Sequence, residues 1–195
     1  YLKRNFPKTY EKLNIVDKEK VIQPSTFTYQ IDIADTKNFT ELLHPELDTL
    51  KNISAEGYFD SLSDSLKVDI YAPEINYADM TFHDIALQLE GEGGENIMNL
   101  EIYHSRIGNQ NLEPLSLGGD LYRDTFDFEI VAINWTTVLD NLNISGELSL
   151  LDDLYQIQFS PSDLVILKDR WNLAEDNYLR FGKGYVETQN FELTN

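Results

Sequence analysis

The sequence predicts a mainly β protein: an extended, curled antiparallel sheet of the β-taco kind with two short helices. The alternative is a closed β-sandwich. Three observations carry this reading. Apolar and polar residues alternate with period two along most of the chain, the mark of strands with one covered face. The alternating runs are separated by short polar or glycine-rich turns such as "SLSDS" and "GEGGEN". Only two stretches follow helical spacing, and none carries the run of about 18 apolar residues that a membrane helix needs.

Taken in order, residues 1–24 are lysine-rich and weakly patterned, and read as a lead-in helix or linker. "TFTYQIDI" then sets Phe27, Tyr29, Ile31 and Ile33 on one face. "NISAEGYFD" and "SLKVDIYA" flank a polar turn and present Ile53, Ala55, Gly57 and Phe59, then Leu66, Val68, Ile70 and Ala72. "DIALQLEG" presents Ile85, Leu87 and Leu89; "IMNLEIYH" presents Met98, Leu100 and Ile102. "LEPLSLGGDL" and "TFDFEIVAI" follow, with Leu115, Leu117, Phe126, Phe128, Ile130 and Ala132. "ISGELSLLDDLYQIQFS" is the clearest hairpin: Leu148 and Leu150, then Tyr155, Ile157 and Phe159 about Asp152-Asp153. "SDLVIL", "NYLRFG" and "YVETQNFEL" complete the series.

The two helical stretches are "NFTELLHPELDTL" and "NWTTVLDNL". Asn38 caps the first with Glu41 three residues on, and Pro45 kinks it. In the second, Trp135, Val138, Leu139 and Leu142 share a face. These helices expose an internal repeat: aromatic strand, capped helix, Asn-Ile-Ser, hairpin, short apolar strand. Residues 25–195 therefore read as two tandem copies, about 25–120 and 121–195, with mostly local contacts. The chain starts at Tyr1 and stops at "NFELTN", so it reads as a piece of a longer one.

At 195 residues the chain suits one domain or two small ones, and 42% hydrophobic residues are enough for a core. The formal net charge of −19 argues against nucleic acid, which would be repelled, and against docking by charge on an anionic membrane. The same acidity keeps a β-rich protein soluble. With no Cys there are no disulfides, no zinc thiolates and no thiol catalysis.

A search for chemistry finds little. His44, His83 and His104 show no ligand spacing, and no Gly-x-Ser-x-Gly elbow occurs. Gly91 to Asn96 lacks the Lys-Ser/Thr of a phosphate loop and carries two Glu, so it reads as a hairpin turn. Asp60, Asp64, Asp152 and Asp153 fall in turns without complete calcium spacing. With 34 acids, some carboxylate pair always looks suggestive of glycoside hydrolysis. Sequons at Asn38, Asn52, Asn134 and Asn143 read as caps and strand starts. The expectation is a protein that is not an enzyme and carries no cofactor or metal.

What remains is the apolar stripe. Periodicity alone favours an ordinary sandwich core. The order of features from Phe27 to Leu89 nevertheless resembles the repeat region of the TamB family, AsmA-like proteins of diderm bacteria, in its Bacteroidetes-type members. Trp171, Asn177, Phe181 and the later "NFEL" look like a recurrent Trp…Asn…aromatic…Asn-Phe-x-Leu pattern of that family. The resemblance implies a periplasmic segment of an inner-membrane-anchored protein, with a hydrophobic β-groove akin to those of bridge-like lipid transfer proteins. It implies phospholipid movement toward the outer membrane, and help in outer-membrane protein assembly with a β-barrel partner. No anchor is seen in this chain. The expected acyl-chain lining is Phe27, Tyr29, Ile31, Val68, Ile70, Ile85, Leu87, Leu100, Ile102, Leu117, Phe126, Phe128, Ile130, Leu148, Leu150, Tyr155, Ile157 and Phe159. The competing reading is a secreted or surface β-sandwich that binds carbohydrate or protein through Tyr58, Tyr71 and Tyr103, which fall off the apolar stripes.

Overall fold

Alternating sequences of this kind satisfy their backbone N–H and C=O groups only by pairing with neighbours, and here most runs find a partner next along the chain. The computed structural model describes residues 2–13, 24–35, 50–133 and 139–194. Its strands in chain order are β1 (Thr26–Asp35), β2 (Lys51–Asp60), β3 (Ser65–Tyr77), β4 (Met80–Glu92), β5 (Glu95–Ile107), β6 (Gln110–Leu112), β7 (Leu115–Tyr122) and β8 (Thr125–Ile133). They continue as β9 (Leu139–Leu151), β10 (Leu154–Phe159), β11 (Asp163–Ile166), β12 (Asp169–Leu173), β13 (Tyr178–Gly182), β14 (Tyr185–Gln189) and β15 (Leu193–Thr194). All fifteen belong to one antiparallel sheet whose main path of eleven runs β1-β2-β3-β4-β5-β7-β8-β9-β10-β13-β14, with β6, β11, β12 and β15 off it. β1 and β14 stand at opposite ends of that order, so the sheet is open. The open single sheet expected from sequence is what the chain forms; the sandwich alternative is not.

Tight primed turns fix the register of the long hairpins. Gly93 and Gly94 join β4 to β5 with φ of 62° and 97°, so "GEGGEN" is the hairpin turn its composition suggests. Arg123 and Asp124 join β7 to β8 with φ of 46° and 67°. Two left-handed residues in a two-residue loop match the right-handed twist of the strands they join.

The sheet is creased where its ladders fail. Pro73, which has no N–H, stands between the pairs Ala72↔Ile85 and Glu74↔His83, and Asp84 opposite has φ 52°. Glu113 and Pro114 divide β6 from β7 in the same way, although both strands pair with β5. Farther along, β9 pairs with β10 through its second half and with β11 through its first. The β10–β11 break at Ser160–Ser162 therefore forks the sheet into a β10-β13-β14 arm and a β11-β12-β15 arm.

Helices correct the sequence reading in part. Two short ones are described, α1 (Leu2–Asn5) and α2 (Pro7–Lys12), both within the lead-in. The helix expected at 38–50 lies outside the described residues apart from Leu50, as do His44 and Asn38. The helix expected over 134–142 is overturned where it is described, since Leu139–Leu142 open β9. Leu142 pairs with Ala132 on one side and Leu164 on the other. Two ladders outcompete the helical spacing of four apolar residues, which is ambiguous in so short a run. β12, "DRWNL", escaped the sequence reading altogether.

Candidate functional site

Side chains at paired positions of an antiparallel sheet share a face. Following the register from strand to strand therefore traces rows. One runs Ile31–Ala55–Ile70–Leu87–Leu100–Leu117–Ile130–Ile144 from β1 to β9. The next runs Tyr29–Gly57–Val68–Leu89–Met98–Gly119–Phe128–Gly146–Phe159, from β1 to β10. Phe27, Phe126, Leu148 and Ile157 belong to a third row. Ile85 and Ile102 belong to a fourth, which ends in Leu142, Leu164 and Trp171. Leu150 and Tyr155 pair with each other near the β9–β10 turn. All eighteen residues expected to line a groove thus lie on one face of one sheet. Trp171 joins them there; the sequence offered it only as part of a family-like pattern.

Glycines in the second row let rings approach the backbone. A Cβ at Gly57 would sit 1.9 Å from the Lys67 carbonyl oxygen and 2.7 Å from the Tyr29 hydroxyl. That hydroxyl donates to the Lys67 carbonyl at 3.2 Å, so Tyr29 lies across Gly57. At Gly146 a Cβ would meet the Gln158 carbonyl at 2.4 Å and the Phe128 ring at 3.0 Å. Phe128 packs edge-on against Phe159 with ring centroids 6.2 Å apart, and Phe27 lies 5.5 Å from Phe59. The result is a low, ring-paved apolar floor.

Cover on this face is graded. Phe126, Phe128, Ala132 and Leu150 are buried, with Phe128 8% exposed. At the β1 end Phe27 is 53% and Ile31 50% exposed. Most of the rest are half-buried. No second sheet is present among the described residues, and the extensive element contacts are between sheet neighbours or between α1 and α2.

The opposite face is polar and acidic. Its register brings Asp120 opposite Asp127 and Asp127 opposite Glu147. Glu129 lies beside them, and together they edge a shallow depression of about 950 Å³ that also reaches Pro161 and Asp176. Tyr58, Tyr71 and Tyr103 stand exposed on this polar side. The Tyr71 hydroxyl donates to Asp84 at 2.6 Å and that of Tyr103 to Glu101. These bonds raise both phenols above their usual range. His83 pairs across the ladder with His104, each beside a carboxylate: His83 Nδ1 is 3.4 Å from Glu74 and His104 Nδ1 3.9 Å from Asp84. Among the described residues no group of three His, Asp or Glu is placed to hold a metal ion.

No protein-family model matches this chain, and neither does a curated protein or a solved structure.

Proposed function

We propose that this chain is a non-enzymatic β-groove segment whose apolar sheet face holds or conducts lipid acyl chains. The observation that supports it most is a continuous apolar face on an open sheet, left substantially exposed at the β1 end. An exposed apolar face on so acidic a protein marks a binding face. Each methylene taken from water contributes about 0.8 kcal/mol, so a dozen favour binding by roughly 10 kcal/mol before ordering costs. Evenly spaced aliphatic rows offer many near-equal positions, which suits sliding. The family resemblance extends the reading to a periplasmic setting in an inner-membrane-anchored protein, with phospholipid as ligand and an outer-membrane β-barrel as partner.

The test is ligand capture by detergent-free protein. Native mass spectrometry should show co-purified phospholipid, and a fluorescent fatty acid should bind. Ile31→Asp should cut that binding about tenfold or more while leaving the fold intact, because Ile31 is already half exposed. Ligand-free protein that ignores fatty acid sinks the reading.

A second reading rests on the polar face. Tyr58, Tyr71 and Tyr103 present exposed rings, the last two bonded to carboxylates, a surface suited to carbohydrate. Glycan-array binding lost on their substitution would favour it.

A further inference from the structure

α2 is six residues long, well short of the roughly 12–15 at which an isolated helix becomes even marginal in water. Its N-cap position is Phe6, whose side chain caps nothing. The missing cap comes from the sheet. The Asp124 carboxylate, in the β7–β8 turn, accepts the Lys8 N–H at 2.9 Å, the Thr9 N–H at 2.9 Å and the Thr9 hydroxyl at 2.6 Å. Burial works to raise this carboxyl, but the bonds from Thr9 and Lys8 outweigh it and hold the group below its usual range.

Other anchors follow the same margin. Arg4 lies 3.3 Å from Asp64, and Asn5, which is buried, donates to the same carboxylate at 3.4 Å. Lys8 Nζ donates to the Leu150 carbonyl at 2.8 Å, and Lys12 Nζ sits 5.0 Å over the Tyr155 ring. α2 buries no residue of its own. The attachment is thus polar, and it lies over the Leu150 end of the apolar face, where Leu150 is 6% exposed and Tyr155 beside it 41%.

We propose that α1–α2 is a detachable strap, helical only while latched to Asp124 and Asp64, which an acyl chain must displace to reach Leu150. The displacement half rests on the function proposed above; the latch half does not.

Limited trypsin digestion of the intact chain tests both, read as the rate of cleavage after Lys8. Asp124→Gly removes the latch but keeps the turn, since glycine accepts the φ of 67° there. It should speed that cut about tenfold or more, given three bonds to a charged acceptor. Asp152→Gly, which removes a charge from the next turn along, should not. Thr9→Val, which leaves the sheet untouched, should give a smaller rise. Wild-type rates in both Asp124→Gly and Thr9→Val overturn the latch. Oleate should speed the Lys8 cut in wild-type protein. Oleate that binds without changing the cut overturns displacement and leaves the proposed function standing. Oleate that does not bind at all overturns displacement and the function together, with the latch still decided by the variants.

Discussion

Asn177 shows how much one side chain carries in a broken ladder. It is 1% exposed. Its Oδ1 accepts the Phe159 N–H at 3.1 Å, and its Nδ2 donates to the Phe159 carbonyl at 3.1 Å and the Ala174 carbonyl at 2.6 Å. The carboxamide stands in for a peptide unit in the gap between β12 and β13. Asn177→Ala should cost about 1–3 kcal/mol, because it leaves the part-buried backbone N–H and carbonyl of Phe159 without their partner. The urea midpoint should fall with an unchanged slope; a midpoint within error of wild type would show that the gap is solvated. Asn177→Asp keeps the acceptor but buries a charged oxygen against the Phe159 and Ala174 carbonyls, so it should cost at least as much as Asn177→Ala. This role was not legible in the sequence. Asn177 stood out there only through its place in a family-like pattern, since the partner lies 18 residues away and the need arises only once Ala174–Asn177 interrupts the strands.

At the scale of elements, long amphipathic strands read themselves. "TFDFEIVAI" is β8 residue for residue, because Phe126, Ile130 and Ala132 each have an apolar partner on both sides and Phe128 lies between two glycines. The β4 start at Met80 was missed: Asp84 and Pro73 disturb the ladder there, and alternation read from Asp84 onward cannot see past them. Leu139–Leu142 failed for the opposite reason, an accidental helical spacing that two neighbouring strands overrode. Membership of the apolar face was legible, since period two decides it. The depth of cover along that face was not, because it depends on what lies beside each strand. Phe27 and Phe128 expose the difference: they lie in adjacent rows of one face, 53% and 8% exposed. Phe128→Asp should cost about 3–5 kcal/mol by emptying a packed site and burying a charge. Phe27→Asp should cost under about 1 kcal/mol yet weaken acyl-chain binding. Chemical denaturation of both variants checks this, and equal costs would mean that β1 is as well covered as β8.

For the whole molecule, the division into an apolar face and an acidic one has an electrostatic consequence. A formal charge of −19 is spread over a sheet whose polar face places Asp120, Asp127 and Glu147 on three adjacent strands in direct opposition. Like charges facing each other across a ladder destabilise it. The repulsion is tolerable because the carboxylates are exposed, and it serves solubility by discouraging association of one open sheet with another. It should also be screened by salt, whose Debye length shrinks from about 30 Å at 0.01 M to about 10 Å at 0.1 M. The melting temperature should therefore climb by a few degrees as sodium chloride is raised over that range, each ~1 kcal/mol being worth about 2–4 °C in a chain of this size. Asp127→Asn removes the middle charge of the three, so it should raise the low-salt melting temperature and shrink the salt response. Calorimetry at the two ionic strengths reads both effects. A variant that melts lower than wild type at 0.01 M salt would mean that Asp127 contributes more through hydrogen bonding than it loses to repulsion, and that the acidic face is not under strain.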